Sequence, residues 1–201
     1  MTRARIVRRQ RSSATRAATP LKIVVTGPFA AGKTTLIKTI SEVAIVGTDR
    51  GITDDTRTVK PKTTVALDFG RLTFADDLTL FLFGTPGQRR FEVMWEILAE
   101  GMIGFVLLVN AADERSLAES TGILETFKAY ADVPFVVGVT HLDDAESPGS
   151  VLDDVRTRLE LPEHVVVAAC DPRARAQVKD LLLQVLFAVM DRLETASSAT
   201  G

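Results

Sequence analysis

A chain of 201 residues is long enough for one domain with a full hydrophobic core and marginal for two. Apolar content of 46% with 25% charged residues is ordinary for a globular protein, and no apolar run approaches the roughly 18 residues a membrane span requires. The single cysteine, Cys170, excludes an internal disulfide and fits a reducing cytosol, and a net charge of −2 hides an uneven distribution.

The first twenty residues, MTRARIVRRQRSSATRAATP, carry Arg3, Arg5, Arg8, Arg9, Arg11 and Arg16 and no acid. Without those six, 18 of the chain's 24 basic residues remain against 26 acidic ones, so the body sits near −8. An acidic body argues against nucleic acid as the main partner. Residues 1–20 read as a disordered basic arm; the competing reading is an electrostatic foot on anionic lipid or on an acidic partner. The arm's composition is also that of a transit peptide, but it lacks a signal-peptide apolar region, and neither end carries a lipidation motif. The expected location is cytoplasmic, with peripheral contact at the inner face of the membrane only through the arm. Residues 194–201 read as a flexible tail, leaving one domain over 21–193.

After the arm, LKIVVT (21–26) reads as a buried strand, and GKTTLIKTISE opens a helix directly behind it. Val43 to Lys62 has no clear period and is rich in Thr, Asp and Gly, which suggests a long functional loop. TVALDFGRLTF and LTLFLF form a hairpin whose first strand should run antiparallel at a sheet edge. MIGFVLLVN, PFVVGVT and HVVVAA are near-continuously apolar, as in a parallel sheet. Helical spacing marks Phe91–Glu100, Glu114–Tyr130, Ser150–Leu159 and Arg173–Glu194. Alternation of strands and helices predicts an α/β fold: a doubly wound, mostly parallel sheet of about six strands flanked by helices.

GPFAAGKTT (Gly27 to Thr35) matches G-x-x-x-x-G-K-[ST], with a strand before it and a helix after it. Gly27 and Gly32 permit the tight turn that aims N–H groups and a helix dipole at phosphate. Ala30, Ala31 and Thr35 complete the expected cradle. Lys33 supplies a point charge to the β- and γ-phosphates, and the Thr34 hydroxyl is suited to ligate Mg2+. The fold expectation is therefore a P-loop NTPase, and nucleoside triphosphate binding is the firmest functional statement the sequence makes.

Three further motifs carry a resemblance. LFLFGTPGQRRF (Leu80 to Phe91) ends a strand in a Gly-Thr-Pro-Gly turn followed by Gln88; VVGVTHLDD ends another in Thr140-His141-Leu142-Asp143; AACDPR (Ala168 to Arg173) follows the last strand. With these motifs the chain resembles a Ras-like small GTPase over roughly 21–193, and within that group the MglA-like proteins and the GTPases of actinobacterial conservon operons. The resemblance implies a base-reading role for Thr140, His141 and Asp143, with Asp143 accepting from guanine N1 and N2. It also implies that N–H groups near Cys170 and Asp171 meet the guanine O6, so that Cys170 is a small loop residue and not a nucleophile. Thr64 fits the threonine that coordinates Mg2+ and senses the γ-phosphate. Gly87 would give its N–H to that phosphate, and Gln88 would orient the attacking water, so the implied catalytic set is Gln88, Lys33 and Thr64.

Two departures from the family pattern stand out. Phe29 occupies a loop position commonly held by glycine, which implies slow intrinsic hydrolysis. Gly84 stands where the family has a metal-holding aspartate, and Asp68 on the neighbouring hairpin strand is a candidate replacement. The other reading of Asp68 is an edge-strand residue that faces water. Arg57, Arg89 and Arg90 are candidate charge-stabilising fingers, whereas Phe91, Met94 and Trp95 at helical spacing read as core.

The leading functional reading is a guanine-nucleotide switch that hydrolyses GTP to GDP with Mg2+. By resemblance its partners are a roadblock/LC7-type regulator and a sensor-kinase-like protein, with no nucleic acid. The alternative is a non-hydrolysing GTP/GDP-binding scaffold in a signalling complex. An ATP-dependent small-molecule kinase would want an arginine-rich acceptor lid, which the sequence between strands does not supply.

Overall fold

A computed structural model of the chain describes residues 19–44, 67–75, 78–87, 91–142 and 147–198. In chain order these form β1 (Thr19–Thr26), α1 (Lys33–Ile40), β2 (Asp68–Ala75), β3 (Leu78–Gly84), α2 (Glu92–Ala99), β4 (Gly104–Asn110), α3 (Glu114–Tyr130), β5 (Phe135–Thr140), α4 (Pro148–Arg158), β6 (Val167–Ala169) and α5 (Arg175–Ser198). The strands make one six-stranded sheet in the order β2-β3-β1-β4-β5-β6. All pairings are parallel except β2 with β3, so the first hairpin strand is the antiparallel edge expected from the sequence. This is the α/β architecture of a P-loop NTPase, a mostly parallel sheet flanked by helices.

Alternation along β1 divides the core in two, because successive strand side chains point to opposite faces. Ile23 and Val25 pack with Leu36 and Ile37 of α1 and with Val178 and Leu182 of α5. Val24 faces the other way, into a cluster holding Trp95 of α2, Leu117 and Phe127 of α3 and Val155 of α4. Helices on both faces explain why β4 is buried from Gly104 to Val109 without alternation. Aromatic rings tie the second layer together: Trp95 and Phe127 have centroids 5.9 Å apart, and Phe105 stacks on Phe135 at 5.0 Å.

Several boundaries differ from the sequence reading. The predicted Ser150–Leu159 helix starts at Pro148, where a missing N–H costs nothing in the first turn. Only the end of HVVVAA is strand, because Val165 N–H turns back to the Pro162 carbonyl at 3.1 Å. The flexible tail expected from residue 194 is corrected through residue 198. There α5 continues, with Thr195 and Ser198 hydroxyls donating to the Asp191 and Glu194 carbonyls. The basic arm through residue 18, and the long loop from residue 45, lie outside the described residues. Among the described residues no helix is long and apolar enough to cross a membrane.

Candidate functional site

Parallel pairing places the C-terminal ends of β1, β3, β4, β5 and β6 along one edge of the sheet, and the loops leaving them surround a cleft of about 910 Å³. The crevice lies at the point where the chain crosses from one side of β1 to the other, the usual ligand position in open α/β sheets.

The floor is the loop from β1 to α1. Gly27 has φ 141° and approaches β4 so closely that a Cβ there would lie 2.2 Å from the Leu108 carbonyl oxygen. Ala30 at φ 59° and Gly32 at φ 96° continue the turn into the helix N-terminus, and a Cβ on Gly32 would meet Pro172 at 2.9 Å. No acidic side chain occupies the first turn of α1, so its dipole is left to an anion. The Lys33 ammonium, only 8% exposed, donates to the Gly27 and Pro28 carbonyls at 2.8 and 2.5 Å.

Burial lowers the Lys33 ammonium to about 8, with Asp68 and Glu119 opposing the shift. Between that value and the ordinary 10.5, the unfolded chain holds a proton that the folded chain has released. The folded state therefore gains stability as pH rises through this window, by about 3 kcal/mol at 1.36 kcal/mol per unit. Chemical denaturation across pH 8–10 should show this rise in the unliganded protein and a flatter profile in Lys33→Met; identical profiles would contradict the burial of a charged lysine.

The wall opposite α1 answers the question raised by Gly84. Asp68 and Gly84 face each other in the β2–β3 register. Thr34 Oγ1 donates to Asp68 Oδ2 at 2.5 Å, so the half-buried aspartate is tied to the phosphate loop. A Cβ added at Gly84 would lie 2.9 Å from both Asp68 Cβ and Ile37 Cδ1. Asp68 therefore takes the space beside residue 84, and only glycine fits there. Among the described residues no group of three or more His, Cys, Asp or Glu side chains is gathered for a metal. The Thr34 hydroxyl and Asp68 carboxylate nevertheless suit Mg2+, which takes one or two protein oxygens and fills the rest with phosphate and water.

The turn after β3 is pinned from below. Thr85 N–H donates to the Val25 carbonyl and its hydroxyl to Thr26, while the Trp95 indole N–H donates to the Pro86 carbonyl at 3.0 Å. These bonds bring Gly87 against the phosphate loop, where a Cβ would be 2.7 Å from Phe29 N and 2.9 Å from Lys33 Nζ. Phe29 itself turns outward and is 69% exposed. Trp95 is buried, as expected of core, whereas Phe91 and Met94 are half-buried.

The remaining wall comes from the ends of β5 and β6. Thr140 is fully buried, with its hydroxyl 3.2 Å from the carbonyl oxygens of Ala31 and Val109 and 2.9 Å from His141 Nδ1. It braces the phosphate loop against β5. His141, at φ 59°, is exposed and lines the cleft with Leu142. Cys170 and Asp171 also line it, but their N–H groups are engaged: Cys170 donates to the Val139 carbonyl at 2.8 Å and Asp171 to Gln177 Oε1 at 2.7 Å. That geometry differs from the expected pair of N–H donors open to a base oxygen, because β6 is short and the loop folds onto α5. Burial, and next the Asp171 charge, push the Cys170 thiol up to about 11, so it stays protonated near neutrality. Hydrogen bonds from Arg173 hold the Asp171 carboxyl below its ordinary range.

Of the residues expected from the sequence, Ala30, Gly32, Lys33, Thr34, Thr35, Asp68, Gly87, His141, Cys170 and Asp171 line the one cleft. Gly27, Ala31 and Thr140 support it from behind. Thr64, Gln88 and Asp143, with Arg57, Arg89 and Arg90, lie outside the described residues. Sequence reasoning missed Lys38 and Gln177. Lys38 stands four residues beyond Thr34 on α1, so helical spacing alone would have found it. Gln177 had no local signal.

Residues 48–192 match a family model described as a conserved hypothetical ATP-binding protein. The match begins after the phosphate loop and takes in Asp68, the Gly-Thr-Pro-Gly turn and Thr140. Over 123 residues the chain is 32% identical to an uncharacterized protein of the archaeon Methanocaldococcus jannaschii, covering 61% of this chain and 71% of that protein. Both findings point away from the MglA-like branch of the Ras-like small GTPases, and that expected kinship is corrected. A phosphate loop, a glycine-rich turn and a base-side loop are what this fold uses to hold any nucleotide, so they report the chemistry and not the branch. The expected roadblock/LC7-type regulator and sensor-kinase-like partner lose their basis with the kinship.

Proposed function

This chain belongs to the family of conserved hypothetical ATP-binding proteins, and from that premise we propose that it is a nucleotide hydrolase that binds GTP with Mg2+ in the cleft and converts it slowly to GDP and phosphate. The observation that carries the reading is the Thr34–Asp68 contact beside Lys33, at the mouth of the phosphate loop. A hydroxyl whose proton is taken by a carboxylate presents its lone pairs to a cation. Thr34 and Asp68 would hold Mg2+, joined by Thr64, and the ion supplies neutralisation of phosphate charge when bound. The loop from Gly27 to Thr35 holds the phosphates through N–H groups, and Lys33 compensates the charge that develops on the transferred phosphoryl group. Gly87 gives its N–H to that group and Gln88 orients the attacking water. Only a glycine at 87 leaves the turn close enough to do so.

Guanine is assigned to the base on Asp143, which lies outside the described residues, two positions after the cleft-lining His141 in the sequence. The carboxylate accepts from guanine N1 and N2, donors that adenine lacks. The second reading, an adenine nucleotide, is favoured by the family description and by the engaged N–H groups of Cys170 and Asp171.

Titration with GDP, a slowly hydrolysed GTP analogue and an ATP analogue, with and without Mg2+, separates these readings. Trp95 reports occupancy by fluorescence, since its indole is bonded to the Pro86 carbonyl at the cleft. The expected result is tight guanine binding with a Mg2+-dependent change for the triphosphate. Binding that ignores the γ-phosphate would instead support a non-hydrolysing scaffold, and preference for the ATP analogue would overturn the guanine assignment.

A further inference from the structure

Away from the nucleotide cleft, a surface groove of about 500 Å³ runs between α2 and the C-terminal end of α3, lined by Glu96, Ile97, Ala99, Glu100, Ala129 and Tyr130. Glu92, Glu96 and Glu100 recur at every fourth position and form one exposed acidic stripe. Next to it stand Val93 and Ile97, which are 75% and 64% exposed. Among the described residues none of the three carboxylates is in an ion pair. Among the described residues, two cations stand near the stripe: Lys22 donates to the Glu100 carbonyl, feels the Glu100 charge and sits over the Phe83 ring, and Lys128 sits over Phe135. An apolar ridge beside a stripe of three carboxylates with no ion pair among the described residues fits a segment that is both basic and apolar.

The chain carries one, directly ahead of β1. Lys22, three residues into β1, bonds the Glu100 carbonyl at 2.6 Å, and Ile103 N–H donates to the Lys22 carbonyl at 2.9 Å. The start of β1 therefore lies at the foot of α2. The residues preceding β1 carry six arginines, no acid, and Ile6 and Val7. At about 1.5 Å per residue α2 is roughly 12 Å long, a span that a few extended residues cover at about 3.3 Å each.

We propose that the α2–α3 groove is an intramolecular docking site for the chain's own arginine-rich segment, residues 3–16, with Ile6 and Val7 on Val93 and Ile97 and the arginines along Glu92, Glu96 and Glu100. Docking there places the segment on the outer side of the helix whose Trp95 holds Pro86 at the nucleotide cleft.

The test is disulfide trapping in the full chain. Val7→Cys is paired with Ile97→Cys in the groove, or with Phe187→Cys, an exposed position of α5 on the opposite face of the sheet. The native Cys170 is buried and does not compete. Under mild oxidation at low protein concentration, the intrachain bond to position 97 should form at least about tenfold faster than that to 187, the mark of raised effective concentration. The advantage should fall toward one in about 1 M salt, where the Debye length is about 3 Å, and in Glu96→Lys/Glu100→Lys. Equal rates would overturn the proposal in favour of an undocked arm, and a faster bond to 187 in favour of α5. Interchain bonds alone would place the arm on a second copy. No advantage at 97 together with arm-dependent binding to phosphatidylserine vesicles would assign it to lipid. An advantage untouched by salt and charge reversal would also overturn the proposal, because the fit is argued from charge.

Discussion

Asp68→Ala will lower the Mg2+-dependent affinity for a GTP analogue by on the order of tenfold to a hundredfold, the usual cost of removing a group that orients a metal ligand, and the affinity for GDP by less. Thr34 loses the acceptor 2.5 Å away that fixes its hydroxyl, and on the proposed role a bound Mg2+ would lose a carboxylate. The triphosphate would suffer more, since a metal held there would compensate its additional charge. Equal losses for both nucleotides, followed by Trp95 fluorescence, would sink the metal assignment.

The companion variant is Gly84→Asp, which returns a carboxylate to the end of β3. Alone it should fail, since its Cβ would overlap Asp68 Cβ and Ile37 Cδ1 at 2.9 Å, with a destabilisation of about 1–3 kcal/mol. Combined with Asp68→Gly, which clears that Cβ, it should recover part of the lost affinity. Full stability and affinity in Gly84→Asp alone would refute the packing argument.

Gly27→Ala carries the largest expected effect on stability, about 3 kcal/mol or more. Its φ of 141° is strained for an L side chain, and its Cβ would lie 2.2 Å from a main-chain carbonyl of the central strand β4. A neighbouring side chain could swing away; Leu108 O cannot move without breaking β4 from the sheet. The loop must then lift from β4, and nucleotide binding goes with it. Urea denaturation checks the first effect and the Trp95 titration the second. Gly149→Ala is the control, because nothing lies within 4 Å of the added methyl at the start of α4, and it should be neutral or stabilising by up to about 1 kcal/mol. A Gly27→Ala protein that unfolds at the parent's urea concentration would refute the close approach.

Those two glycines mark how the protein's information divides. Local chemistry in the sequence determined the α/β class, the antiparallel edge strand and the phosphate loop. Buried strands read as unbroken apolar runs, helices as spaced ones, and a loop that cradles phosphate needs its glycines and lysine at fixed intervals. The same locality limited the reading of kinship, since Gly-Thr-Pro-Gly and Thr-His-Leu-Asp encode turns that many nucleotide-binding branches need. It also left Asp68 balanced between a solvent-facing edge residue and a metal partner. Strand pairing set Asp68 across from Gly84 and within reach of Thr34, contacts spanning 16 and 34 positions that no local pattern encodes. Likewise, the engagement of the Cys170 and Asp171 N–H groups follows from where β6 ends and α5 packs. The tertiary structure alone sets which donors stay open, because each depends on a partner supplied by a distant element.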